Sequence, residues 1–385
     1  EQSAMILRGS AGTGKTSLAG AIVRAMKSLH QNVVLMAPTG RAAKVFSLNA
    51  GCEAHTIHHR IYRRKTYVGE DTGFSLNFNK HRHTLFIVDE ASMIPAGTGT
   101  PSIFGSGQLL DDLMQYVYGG QHCRLMLIGD KAQLPPVGET ESPALSPLTV
   151  EGYGIGVFLA DLNEVLRQSA ESGILWNATV IREMITHDEI TQLPRITLNR
   201  FPDISSVPGD ELIESLNSSY CNVGIDETTV VVRSNKRANI YNNGIRAMVL
   251  GREDSLTSGD LLMVVKNNYH WTKTTEEETD NEHEMAFLAN GDRMRVHRVR
   301  NIQSLYGFTF ADAQLVFPDC DNREVDATVL LDTLQSEAPS LTREQSERLF
   351  NAVMEDYADI PLKSERLKRL REDRFFNALQ IKYSY

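Results

Sequence analysis

Gly9-Ser10-Ala11-Gly12-Thr13-Gly14-Lys15-Thr16 fits the pattern G-x-x-x-x-G-K-[ST]. It stands between a short apolar run at residues 4–7 and a helical pattern with Leu18, Ile22 and Met26 on one stripe. A strand, a glycine-rich turn and a helix in that order make a phosphate-binding P-loop. The glycines let backbone N–H groups turn inward around phosphate oxygens, and the helix adds the positive end of its dipole. Gly12, Thr13, Gly14, Lys15, Thr16 and Ser17 are therefore the expected nucleotide cradle. Lys15 is expected to reach the β- and γ-phosphates and Thr16 to ligate magnesium, so ATP and Mg2+ are the expected cofactors.

A P-loop alone does not separate a kinase from a GTPase or a motor. Residues 85–90, Leu-Phe-Ile-Val-Asp-Glu, form an apolar run that ends in two carboxylates. Asp89 is placed to hold the metal, directly or through water, and Glu90 to orient and deprotonate a lytic water. Gly129-Asp130-Lys131-Ala132-Gln133-Leu134-Pro135-Pro136-Val137 follows another apolar run. An amide just beyond a strand end can bond both the γ-phosphate and the water, which marks Gln133 as a sensor of hydrolysis. The two prolines fix the direction of its loop.

Buried strands are expected at 4–7, 32–36, 85–88 and 124–128, alternating with helical patterns, the rhythm of a parallel α/β sheet. Residues 60–83 break the rhythm with a basic, aromatic insertion whose turn is Glu70-Asp71-Thr72-Gly73. A further buried strand is expected at 228–232, an acidic solvated loop at 274–284, and a small β module after Asn290-Gly291-Asp292, where Met294, Val296 and Val299 recur. A charged helical pattern fills 342–370.

The 385 residues exceed what one ordinary core accommodates, and 41% hydrophobic with 23% charged residues suits a soluble globular chain. No apolar run approaches the roughly 20 residues of a membrane span, and no signal peptide opens the chain, so an intracellular location is expected. Cys52, Cys123, Cys221 and Cys320 lie far apart, without zinc spacing, and read as free thiols. The net charge of −10 argues against a protein that coats nucleic acid, yet leaves room for a narrow basic groove.

In their order, G-S-A-G-T-G-K-T, A-P-T-G-R-A-A, T-I-H, V-D-E-A-S-M, G-D-x-x-Q-L-P-P-V and L-N-E-V-L-R-Q resemble the superfamily-one helicases. T-I-H, the D-E-A-S-M form and Lys266-Asn267-Asn268-Tyr269 resemble the Pif-type, RecD-like branch. That resemblance implies an α/β fold of two RecA-like P-loop domains, with a small hairpin insertion and an SH3-like β insertion. The expected layout is a first RecA-like domain at 1–168 with a wedge hairpin near 60–83, and a second at 169–288. The SH3-like insertion and its helical segment follow at 289–376, and 377–385 return to the second domain.

The resemblance further implies an ATP-dependent DNA helicase that moves 5′ to 3′ on single-stranded DNA, with forked or structured DNA as substrate. Arg167 becomes the arginine that reaches the γ-phosphate, where a planar guanidinium suits spread charge. Pro38, Thr39 and Arg41 become contacts to the DNA backbone, as do Thr56 and His58, although His58 reads equally as a structural group. Hydroxyls and amides bind phosphates without reading sequence, which suits a motor that steps over any base.

Arg64 in the insertion, with its basic and aromatic neighbours, fits a wedge platform as well as a solvated face. Lys266, Asn268 and Tyr269 are further expected contacts; Tyr269 or Trp271 stacks on a base or else belongs to the core. The chain begins at Glu1 without the family's adenine-contacting element and ends at Tyr385 before T-x-H-K-x-Q-G, so an excised core of a longer parent is expected. A monomeric motor is expected, with single-strand-binding or replication proteins as partners. A RecD-like subunit of a nuclease assembly, the helicase part of a relaxase and an ATP-driven binding switch are the alternatives.

Overall fold

The computed structural model describes residues 2–64, 74–97, 105–162, 172–187, 192–268, 270–272, 288, 290–320, 322–338 and 340–385. The chain divides into two compact units, Glu1–Ser206 and Val207–Tyr385.

The first unit runs β1 (Ser3–Gly9), α1 (Lys15–Ser28), β2 (Asn32–Ala37), α2 (Gly40–Ala50), β3 (Ala54–Thr56), α3 (Ile57–Ile61), β4 (Tyr62–Arg64), β5 (Phe74–Leu76), β6 (Thr84–Val88), α4 (Leu109–Tyr118), β7 (Arg124–Gly129), α5 (Pro147–Glu151), β8 (Gly156–Leu162) and α6 (Gly173–Thr186). Six strands form one sheet in the order β3-β2-β6-β7-β1-β8, and every pairing is parallel. The central strands read as unbroken apolar runs because helices cover both faces. Ile6 and Leu7 in β1, 34–37 in β2, 86–88 in β6 and 125–128 in β7 are all buried.

The helix after the P-loop forms as expected, but its buried stripe is Ala19, Gly20 and Val23, flanked by Ile22 and Met26, while Leu18 faces outward. Small residues win that face because α2 lies close, with the Asn49 carbonyl 2.9 Å from where a β-carbon on Gly20 would stand. β4 and β5 pair antiparallel, Tyr62 opposite Leu76 and Arg64 opposite Phe74, and form the base of the expected hairpin. Its turn at 70–73 lies outside the described residues, as does the acidic stretch 274–284.

The second unit runs α7 (Leu212–Asn222), α8 (Asn235–Gly244), a π-helical turn (Ile245–Val249), β9 (Leu261–Val264), β10 (Arg293–Leu305), β11 (Phe308–Phe317), β12 (Arg323–Leu330), α9 (Asp332–Gln335), α10 (Arg343–Asp356), α11 (Lys363–Glu372) and β13 (Leu379–Tyr383). β10-β11-β12-β13-β9 close into a barrel. It is larger than an insertion at 289–376, because β9 precedes that range and β13, in the terminal 377–385, follows it.

Inward residues alternate along β11, where Ala311, Ala313, Leu315 and Phe317 join the barrel core, while Phe308 and Phe310 are buried on the other face in a cluster with Leu349 and Val353 of α10. In β10 the spacing from Val296 to Val299 follows from a bulge between Val296 and Arg298, after which Val299 stands opposite Ala313. The helical pattern at 342–370 resolves into α10 and α11, and α10 opens with a capping box between Thr342 and Gln345.

One strand expectation is corrected. Residues 228–232 form no strand, and Val231 is 89% exposed. Their β-branched composition favours extension, but among the described residues no strand pairs with them, and α8 starts at Asn235. Among the described residues the chain forms one parallel sheet, and 207–259 fold as helices and loops rather than as a second sheet.

Candidate nucleotide site and nucleic-acid interface

In a parallel sheet the strands end on one edge, and ligands settle outside those carboxyl ends. The loops after β1, β6 and β7 carry the P-loop, Asp89-Glu90 and Asp130–Gln133 to that edge.

Gly12 and Gly14 have φ of 81° and 83°, which turn the loop's N–H groups inward and open α1. Gly9 admits no side chain, since a β-carbon there would lie 2.6 Å from Thr13 Oγ1 and 3.0 Å from Leu162 Cβ. Thr13 is buried and donates Oγ1–H to the Ser10 carbonyl at 2.8 Å, which braces the turn. Lys15 Nζ donates to the Gly9 and Ser10 carbonyls, both at 2.8 Å. Burial pulls the Lys15 ammonium below its ordinary pKa, against the opposing pull of Asp130, Glu90 and Asp89. Ser17 lies one residue beyond, exposed on the first turn of α1.

Thr16 Oγ1 donates to Asp89 Oδ2 at 3.4 Å. A hydroxyl and a carboxylate this close are hard oxygen ligands of the kind magnesium takes, with water and phosphate oxygens completing its shell. No group of three or more His, Cys, Asp or Glu able to hold a metal occurs among the described residues. Asp89 is buried, and burial raises its carboxyl pKa against the Glu90 N–H bond and Lys15.

Glu90 stands in the left-handed region, φ 52° and ψ 36°, with its N–H donated to Asp89 Oδ1 at 2.9 Å. Burial and then Asp89 raise the Glu90 pKa, while Lys15 and a side-chain hydrogen bond with Gln133 oppose them. The fully buried Ser92 donates Oγ–H to Gln133 Oε1 at 3.2 Å. Lys15, Thr16, Asp89, Glu90 and Gln133 are thus brought together, while Arg167 lies outside the described residues.

Two participants were not singled out in the sequence. Asp130, 2% exposed, accepts both guanidinium arms of Arg182, Nη1 to Oδ1 at 2.8 Å and Nη2 to Oδ2 at 2.7 Å. Burial alone would raise the Asp130 carboxyl, but Arg182, the Ala132 N–H and Lys15 hold it below its ordinary pKa. Arg182 sits midway along α6 and matches no motif. The available signal was Asp130 itself, since an acid at the end of an apolar strand needs a cation.

Of the expected DNA contacts, Pro38, Thr39 and Arg41 follow β2, and Thr56 ends β3. Ala37 pairs with Thr56, so the two loops are neighbours on the same edge. Thr39 caps α2 by accepting the Ala42 N–H at 3.2 Å, and Thr56 caps α3 by accepting the His59 N–H at 3.1 Å. A capping hydroxyl accepts through oxygen and still has a proton to donate. Arg41 is exposed.

His58 is pushed down to about 4 by burial, so its ring is neutral near pH 7 and has no charge to offer a phosphate. Arg64 pairs with Phe74 in the hairpin base. In the second unit Lys266 is exposed, whereas Asn268 donates Nδ2 to the Asn377 carbonyl at 2.8 Å and Trp271 donates Nε1 to the same oxygen at 2.9 Å. Tyr269 lies outside the described residues. Asn242 of α8 is buried and bonds the backbone of Tyr383 and Tyr385.

Residues 1–191 match the AAA domain family. The ATP-dependent RecD2 DNA helicase of Deinococcus radiodurans is 32% identical over 177 residues, 44% of this chain and 20% of that one. The ATP-dependent DNA helicase dda of Enterobacteria phage T4 is 27% identical over 244 residues, 59% of this chain and 51% of its own length. An uncharacterized mimivirus protein, R530, is 27% identical over 299 residues, 69% and 56% of the two chains. The chain spans between 11% and 56% of the length of such relatives.

Among solved structures, Bacteroides sp Pif1 in complex with ADP-AlF4 aligns at 16% identity and TM-score 0.35, over 84% of this chain and 70% of that one. Pif1 helicase from Candida albicans aligns at 18% and 0.33, over 86% and 75%. Residues 1–191 thus carry the AAA domain, and in its ordered motifs and over the aligned stretches the chain is similar to the RecD2 and dda DNA helicases.

Proposed function

We propose that this chain is the motor of an ATP-dependent DNA helicase that moves 5′ to 3′ along single-stranded DNA and opens forked or structured duplexes. The observation that carries the reading is the shared sheet edge. Lys15, Asp89, Glu90 and Gln133 converge there, and the Thr39 and Thr56 caps end neighbouring strands of the same sheet.

In the proposed cycle Lys15 neutralises charge on the β- and γ-phosphates of ATP. Thr16 and Asp89 would hold magnesium, which supplies Lewis-acid charge to the phosphate oxygens when bound. Glu90 takes a proton from water, whose oxygen attacks the γ-phosphorus as the bond to the β-phosphate oxygen breaks, giving ADP and phosphate. Gln133 holds the water and reports its loss through the proline-braced loop. Arg167 adds positive charge at the γ-phosphate. Thr39 and Thr56 donate hydroxyl protons to the DNA backbone, with Arg41 and Lys266 as exposed cations along it. The unit acts as a monomer, with single-strand-binding or replication proteins as partners.

The test is turnover and strand displacement on 5′-tailed and 3′-tailed duplexes, with Lys15→Ala beside the parent. DNA-stimulated hydrolysis and 5′-tailed unwinding should vanish in Lys15→Ala while single-strand affinity remains. Normal turnover in that variant, or unwinding only from 3′ tails, would refute the reading.

A further inference from the structure

The Asp130–Gln133 loop is built on one carboxylate. Asp130 Oδ1 accepts the Ala132 N–H at 2.9 Å, and the Asp130 carbonyl accepts the Gln133 N–H at 3.2 Å. Gln133 in turn meets Ser92 and Glu90 through its side chain. Whatever fixes the Asp130 carboxylate therefore fixes the amide that faces the water-directing glutamate.

Two cations act on that carboxylate, and they are not equivalent. Lys15 acts on it through space, as a point charge that the phosphates of a nucleotide also attract. Arg182 holds both of its oxygens in a planar fork at 2.7 and 2.8 Å. The helix bearing Arg182 is itself tied down. Ser172 caps α6 at the Leu175 N–H, Asp203 accepts the Gly173 N–H at 2.7 Å, and Asn177 exchanges bonds with the Thr197 backbone at 2.7 and 2.9 Å. A strap at 197–203 thus anchors the start of a helix whose Arg182, further along, grips the sensor loop.

We propose that Arg182 is a positioning residue for hydrolysis: its fork on Asp130 makes α6 and the Asp130–Gln133 loop one mechanical piece, so that Gln133 and Glu90 keep the spacing a lytic water needs. The inference rests on the nucleotide-site reading above and adds a residue that touches neither substrate nor water. A structural arginine predicts lost stability alone. A positioning arginine predicts lost turnover with nucleotide affinity retained, and the loss must pass through Asp130.

The experiment measures kcat and KM for ATP in Arg182→Lys, Arg182→Gln, Asp130→Asn and the double variant Arg182→Gln/Asp130→Asn, together with hydrogen exchange of amides 130–137. A misplacement of about 1 Å costs up to about 10²-fold in rate. Turnover should therefore fall by roughly 10- to 100-fold in each single variant, with KM within about three-fold of the parent. The double variant should be no slower than the slower single, and the loop amides should exchange faster while β7 stays protected. Arg182→Lys keeps the charge but not the fork, so it decides the matter even if Arg182→Gln fails to fold. A rise in KM at unchanged kcat, losses that multiply in the double variant, or loop exchange equal to the parent's would overturn the proposal. Absence of turnover in the parent would sink the nucleotide-site reading instead, and the exchange result would still judge Arg182.

Discussion

Glu90 occupies a backbone region that residues with a β-carbon rarely enter, at φ 52° and ψ 36°. The Asp89 carboxylate holds it there by accepting its N–H, and the Met93 N–H bonds the Glu90 carbonyl at 3.2 Å. The left-handed conformation costs about 1–2 kcal/mol for a residue with a β-carbon. Glycine escapes that cost but loses about 0.5–1 kcal/mol more chain entropy than alanine on folding. Glu90→Gly and Glu90→Ala both delete the carboxylate, so their difference isolates the backbone. Glu90→Gly should be the more stable by roughly 0.5–1 kcal/mol, the reverse of the order at an ordinary position.

Urea unfolding followed by circular dichroism reads the difference, and steady-state ATP turnover reads the chemistry. Both variants should lose about 10²–10⁴ in kcat if Glu90 takes the proton. Burial and Asp89 raise the Glu90 pKa, and a base works ionised. The acid limb of kcat/KM should then lie above the ordinary glutamate value of about 4.3, with activity present above the raised pKa and lost as pH falls through it. An alanine variant more stable than the glycine variant by the same margin would show that the backbone is not strained at this position. Glu90→Ala retaining more than about a tenth of parental turnover would remove Glu90 from the chemistry.

Gly9→Ala places a carbon 2.6 Å from Thr13 Oγ1 and 3.0 Å from Leu162 Cβ. It should cost about 1–3 kcal/mol of stability and, by displacing the loop that Lys15 leans on, about ten-fold in ATP affinity by calorimetric titration. Asp260, 0% exposed, accepts Arg246 through both oxygens, Arg252 at 2.7 Å and Tyr385 at 2.5 Å. Asp260→Asn strands two guanidinium groups and should destabilise the second unit by about 3–5 kcal/mol in urea unfolding. Against burial, those partners hold the Asp260 pKa below its ordinary value, so its contribution is present above about pH 4 and fades as acid protonates it.

The nucleotide site was legible because its chemistry is local. The P-loop needs residues at fixed offsets, and Asp89, Glu90 and Gln133 each end or follow an apolar strand whose burial the sequence displays. Arg182 was illegible because the partner that gives it meaning lies 52 residues away and no spacing announces it. The second unit hid for a related reason. Residues 228–232 have the composition of a strand, but a strand exists only where another pairs with it. The barrel closes through β9 and β13, more than 100 residues apart in sequence. Lys266 and Asn268 read alike as contacts, and Trp271 equally as contact or core; only folding shows that Asn268 and Trp271 both hold the Asn377 carbonyl while Lys266 stays exposed.

Counting Arg182 changes the electrostatics of the nucleotide site. Asp89, Glu90 and Asp130 lie around Lys15, and without a second cation two of the three carboxylates would be uncompensated where a polyanion must bind. Arg182 removes one and leaves the pair at the end of β6, where burial raises both pKa values. The remaining excess of negative charge lies beside the Thr16 hydroxyl, where the proposed divalent cation would find two protein oxygens. The site is therefore divided by charge. In the proposed cycle Arg182 takes Asp130 out of competition for Lys15, which would leave Lys15 to the phosphates and keep Asp89 and Glu90 as the pair whose repulsion a bound cation would relieve.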